Sequence, residues 1–268
     1  MAWASVNGIR IHHESQGSGE PVLMVMGSGS RGRVWDLHQV PALTTAGYRV
    51  ITFDHRGVPP TDECADGFTL DDMVADTAAL VEHLGIGPCP AVGTSLGAQI
   101  LQELMLARPE LISRAVLMAT RARTDTLRHA LSAAEIDLHD SGLRLPPRYT
   151  AVIQAIQNLS PRTLADGEQI QDWLDLFEVS APTRPGGRVH MGFSAMPDRT
   201  DAYRAIDRLC QVIAFGDDMI TPPHLGEEVA DAIPGARFEL IQGCGHYGYL
   251  EDPDQVNKTL IEFLRLEG

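Results

Sequence analysis

The chain has 268 residues, 44% of them hydrophobic and 21% charged, with a formal net charge of −15. That length and apolar content suffice for a substantial core, and the lack of repeats or low-complexity tracts excludes solenoid and disordered architectures. The negative charge repels phosphate, which argues against a nucleic acid partner or an anionic membrane surface.

The chain begins MAWASVNGIRIHH, with neither a basic start nor an apolar secretory segment, and its longest apolar runs, such as VLMVM at 22–26, are too short to cross a bilayer. A cytoplasmic location is expected. Residues 2–7 and 9–15 read as an antiparallel hairpin. Apolar runs at 21–26, 48–53, 89–93, 114–119, 209–215 and 238–242 read as buried strands, and most are separated by helix-period segments, among them 70–84, 98–107, 223–233 and 253–266. This alternation predicts an α/β fold: a mostly parallel eight-stranded sheet, helices on both faces and the hairpin at one edge.

Between the strands at 114–119 and 209–215 the pattern changes to consecutive helices at 124–140, 147–158 and 168–179, then a Pro/Gly-rich loop at 181–197. An α/β core of residues 1–120 and 209–268 with a helical cap inserted at 121–208 follows. The insertion carries a net charge of −1 and the core −14, so the two present different surfaces. Four cysteines, at 64, 89, 210 and 244, show neither metal-ligand spacing nor a disulfide framework.

Open α/β sheets place their sites at the carboxyl ends of strands. After the strand at 89–93 comes Gly93-Thr-Ser95-Leu-Gly97, where glycines permit a tight turn that presents a serine, although Ser95 could equally cap the following helix. Asp217 and Asp218 follow the strand at 209–215, and His246 follows the last strand in a Gly-rich turn. A serine hydroxyl needs a neutral imidazole to take its proton, and the imidazole needs a carboxylate to fix its tautomer, so the order Ser, Asp, His fits nucleophilic catalysis. After the first core strand, Met26-Gly27-Ser28-Gly29 offers the Ser28 N–H to join that of Leu96 as an oxyanion hole.

Together GSGEPV (17–22), YRVITFDHRG (48–57), GTSLG (93–97), LMATRAR (117–123), TPPHLGEEVADAIPGA (221–236) and GHYGYLEDPDQVN (245–257) resemble the α/β-hydrolase fold proteins, and among them the actinobacterial cofactor-free bromoperoxidases and simple hydrolases. Aligning TPP at 221–223 with the family's helix-opening proline brings Asp218 rather than Asp217 into register as the acid. The chain departs from the family's pattern with Met26-Gly27 in place of His-Gly and with Val58-Pro59-Pro60-Thr61 after Arg56-Gly57.

The resemblance implies an acyl-serine hydrolase for an ester, thioester or related small acyl substrate, free or carrier-bound, with no metal or organic cofactor. Alternatives are acyl transfer or cyclisation in natural-product biosynthesis, perhydrolysis of the haloperoxidase kind, and a catalytically silent ligand-binding protein. Arg121 and Arg123 either face the substrate or pair with nearby carboxylates such as Asp125. Trp173, Phe177, Met191, Phe193 and Met196 either line an apolar acyl pocket or pack the cap.

Overall fold

The computed structural model describes residues 2–64, 66–180, 189–190, 192–193 and 195–266. Eight strands, β1 (Ala2–Val6), β2 (Ile9–Gly17), β3 (Glu20–Val25), β4 (Tyr48–Phe53), β5 (Cys89–Thr94), β6 (Ile112–Met118), β7 (Leu209–Phe215) and β8 (Arg237–Ile241), form one sheet in the order β1-β2-β4-β3-β5-β6-β7-β8. The pairs β1–β2 and β2–β4 are antiparallel and every other pair is parallel. The expected hairpin therefore forms the antiparallel edge.

Strand β3 shows why the sheet is covered twice. Side chains alternate across a strand, so the run Val22-Leu-Met-Val25 divides between two cores. Leu23 and Val25 join one, built against α2 (Leu70–Leu84), α3 (Leu96–Ala107) and, farther along, α9 (Pro223–Ala232). Val22 and Met24 join the other, built against α1 (Gln39–Thr45) and α11 (Pro253–Leu264). All four side chains are fully buried, each contributing about 1.5–3 kcal/mol of transfer free energy. Helix α2 starts at a capping box, with Thr69 and Asp72 bonding each other's backbone N–H, and stops at Gly85, whose φ of 61° favours glycine.

Between β6 and β7 lie α4 (Thr126–Asp140), α5 (Pro147–Asn158), α6 (Pro161–Ala165), α7 (Gly167–Ser180) and the short α8 (Thr200–Tyr203). Three match the helices expected there, while α6 and α8 are too short to show a period. The segment has a small core of its own, in which Phe177, Ala151, Ala155 and Leu159 are buried with Trp173 packed on them. The expected loop at 181–197 falls in part outside the described residues. After β8 a single helical turn, α10 (Gly248–Glu251), precedes α11.

Candidate active site

At the β5–α3 junction Ser95 has φ 53° and ψ −118°, a conformation a side chain rarely adopts. Its backbone is tied down on both sides: Ser95 N–H donates to Met118 O (2.9 Å), and Ser95 O accepts from the Ala98 and Gln99 N–H groups (3.1 and 3.2 Å). The hydroxyl makes no cap bond to α3, so the capping alternative does not describe it.

The unusual dihedrals belong to the serine, and the flanking glycines serve close backbone approach instead. A Cβ on Gly93 would sit 2.6 Å from Gly97 O, and one on Gly97 would sit 2.6 Å from Val25 C and 2.7 Å from Met26 O. The elbow is thereby pressed against the end of β3, the strand that leads into Met26-Gly27-Ser28.

Asp218 and His246 meet from the ends of β7 and β8. His246 Nδ1 lies 2.8 Å from Asp218 Oδ2; a carboxylate only accepts, so Nδ1 carries the proton and Nε2 is the accepting nitrogen. Three further donors fix the carboxylate. Oδ1 accepts from the Ile220 and Thr221 N–H groups (both 2.8 Å), and Oδ2 accepts from the Thr221 hydroxyl (2.7 Å). Asp218 is buried whereas Asp217 is exposed, and Asp125 caps α4 through the Arg128 N–H.

The His246 loop is held by a residue that sequence reasoning missed. Glu251 accepts from the Gly245 N–H (2.6 Å) with one oxygen and from the Ser160 N–H and hydroxyl (2.9 and 2.7 Å) with the other. Gly245 passes so close to the 147–165 helices that a Cβ there would stand 2.6 Å from Asn158 O.

The Ser95 elbow, the Met26-Gly27-Ser28 loop and His246 border one cavity of about 240 Å³. Met26, Gly27, Ser28, Thr94, Ser95, Leu96 and His246 line it from the sheet side, with Arg121, Arg128, Glu135, Gln154, Asn158, His190 and Phe193 from the segment between β6 and β7. Burial, with Arg128 nearby, pushes Arg121 down to about 10. The two arginines taken together in the sequence separate here. Arg121 is 4% exposed in the cavity wall, while Arg123 forms a bidentate pair with Glu228 (2.8 and 2.6 Å), away from it. Trp173 and Phe177 are not among the lining residues: they pack on Tyr247, which is. Met191 lies outside the described residues, and Met196 N–H bonds the Thr124 hydroxyl (2.9 Å).

The Asp54-His-Arg-Gly57 motif proves to be a scaffold for the Ser28 loop. Asp54 Oδ1 accepts from the Gly32 N–H (2.8 Å), His55 Nε2 donates to Met26 O (2.9 Å), and the Arg56 guanidinium grips buried Asp76 (2.5 and 2.6 Å). Among the described residues no group of His, Cys, Asp and Glu could hold a metal ion, and no helix is long and apolar enough to cross a membrane.

An eight-stranded, mostly parallel sheet with a strained serine elbow after β5 is the α/β-hydrolase architecture, and the chain belongs to the alpha/beta hydrolase family, whose profile matches residues 22–259. It is 46% identical over 256 residues to the "Putative non-heme bromoperoxidase BpoC" of Mycobacterium tuberculosis, covering 95% of this chain and 97% of that protein. The crystal structure of that protein superposes with a TM-score of 0.92, covering 94% of each chain. Similarity extends to a "Putative carbamate hydrolase RutD" of Stutzerimonas stutzeri (26% identity; 95% of this chain, 96% of that one). A thermophilic esterase from Thermogutta terrifontis matches with a TM-score of 0.83 at 26% identity, covering 96% and 93%.

Proposed function

We propose that the protein is a serine hydrolase acting on an ester, thioester or related acyl substrate through an acyl-Ser95 intermediate. His246 takes the serine proton and returns it to the leaving group, Asp218 holds the imidazole in the tautomer this requires, and the N–H groups of Ser28 and Leu96 receive the oxyanion. The observation that carries this reading is that His246, paired through Nδ1 with Asp218, borders the same cavity as a serine held at φ 53°. Residues 121–208 act as the cap over that cavity. Arg121 and Arg128 stand in its wall, the latter paired with Glu135 (3.4 Å), and guanidinium groups there suit acyl groups bearing a carboxylate.

A second reading uses the same acyl-enzyme with hydrogen peroxide in place of water, giving a peracid and free serine. The name of the 46%-identical relative favours it. Both readings are tested by fluorophosphonate labelling and by intact-mass detection of an acyl-enzyme with a panel of esters and thioesters. Ser95→Ala is expected to abolish labelling and to lower turnover by on the order of 10³-fold or more. Unlabelled wild-type protein, or turnover that survives in the variant, removes the acyl-serine mechanism.

A further inference from the structure

The loop that carries the Ser28 N–H runs from Met26 to Gly32 and is fixed at both ends by Asp54 and His55, through Gly32 N–H and Met26 O. Its middle is fixed from elsewhere. Gly29 N–H donates to His190 Nδ1 (3.1 Å), across 161 residues of sequence. The other ring nitrogen, Nε2, donates to Arg56 O (3.0 Å). A carbonyl only accepts, so Nε2 carries the proton and Nδ1 is the lone pair that the Gly29 N–H needs. The ring is 2% exposed and stands nearly perpendicular to Phe68 (centroids 5.5 Å apart), with Phe193 at 6.0 Å and His55 at 6.4 Å.

His190 thus belongs to the β6–β7 segment that lines the far side of the cavity, is anchored to the scaffold motif, and holds the residue next to Ser28. We infer that His190 is a positioning residue for the oxyanion hole: its Nδ1 aims the Ser28 N–H by holding Gly29. This rests on the acyl-serine reading, because an oxyanion must form for the aim to matter. The imidazole itself touches no reacting atom. An N–H that meets negative charge only in the transition state affects kcat and leaves ground-state binding alone. The loss expected is that of one hydrogen bond, about tenfold.

The test measures kcat and KM on p-nitrophenyl acetate for wild type, Ser95→Ala, His190→Phe, His190→Asn and His190→Gln, with folding checked by thermal melts. Phenylalanine keeps a ring against Phe68 and Phe193 and has no acceptor. Asparagine restores an acceptor near the Nδ1 position, and glutamine keeps only the donor to Arg56 O. The expected result is a kcat about tenfold lower in His190→Phe at unchanged KM, with His190→Asn within about threefold of wild type. Wild-type kcat in His190→Phe, or equal losses in the phenylalanine and asparagine variants, overturns the inference. Should the phenylalanine variant not fold, His190→Gln must fall below His190→Asn, and equality of the two overturns it. Ser95→Ala at wild-type turnover removes the acyl-serine reading and this inference with it. With Ser95→Ala inactive, the His190 variants decide alone.

Discussion

Asp218 Oδ2 stands 2.8 Å from His246 Nδ1, and its neighbour Asp217 points into solvent with its backbone N–H spent on Cys244 O. Adjacent residues in a turn diverge, so only one carboxylate reaches the imidazole. Asp218→Asn puts an amide where the Nδ1 proton must be accepted and favours the wrong tautomer. A loss of up to ~10⁴-fold in kcat is expected, with Asp217→Asn costing less than about tenfold. Steady-state kinetics of the two variants check it, and the reverse ranking would move the acid one residue upstream.

Gly97 makes a separate prediction about the elbow. The atoms that a Cβ would meet are backbone carbonyls of Val25 and Met26, and no side-chain rotation relieves the overlap. Gly97→Ala should lower stability by about 1–3 kcal/mol or more and displace the loop that carries Ser28. Chemical denaturation and fluorophosphonate labelling read the two effects. A stable variant labelled at the wild-type rate would show that the β3–α3 contact yields freely.

Much of this arrangement is legible in the sequence because strand periodicity fixes the topology, and the topology fixes which loops share an edge. Ser95, Asp218 and His246 each follow a run that reads as a buried strand, and parallel pairing of β5, β6, β7 and β8 brings their carboxyl ends to one side. Residues whose partners are backbone atoms far along the chain leave no such trace. His55 reaches Met26 across 29 residues and His190 reaches Arg56 across 134, and periodicity reports burial without naming the atom a side chain will meet. The Asp54-His-Arg-Gly motif carries part of the family resemblance, and Glu251 lies within the segment surrounding His246, but neither signal reveals a scaffold. His190 sits in a Pro/Gly-rich stretch with no period at all.

The two arginines at the start of the β6–β7 segment should respond differently to substrate charge. Arg121 lies in the cavity wall, whereas Arg123 is engaged by both oxygens of Glu228 at the surface. Arg121→Ala is expected to raise KM for a carboxylate-bearing ester by about tenfold or more and to leave a neutral ester within about twofold. The scale is that of a hydrogen bond to a charged group. Arg123→Ala should treat both esters alike. Paired kinetics on a neutral ester and its half-acid analogue settle this, and an equal response of Arg121→Ala to the two would take the guanidinium out of substrate recognition.

Burial of His55 makes stability depend on pH in a defined direction. Its imidazole is 2% exposed; burial and the neighbouring His190 push it down to about 3, while the hydrogen bond to Met26 O pulls weakly the other way. In the unfolded chain the same group titrates near its ordinary value of about 6.5. The unfolded state therefore binds a proton that the folded state refuses, so stability is full above about pH 6.5 and is lost as pH falls toward 3. The slope is at most about 1.4 kcal/mol per pH unit for each such group, and His190, lowered mainly by burial as well, acts in the same direction. Carboxylates also titrate in acid, so the comparison needs a variant that cannot protonate here. His55→Gln keeps an N–H near the Nε2 position for Met26 O and has no pKa in this range. Unfolding free energies of wild type and His55→Gln, measured from pH 8 to 5, should diverge below about pH 6.5, with wild type losing more. Parallel curves would mean that His55 takes up its proton in the folded protein as readily as in the unfolded chain.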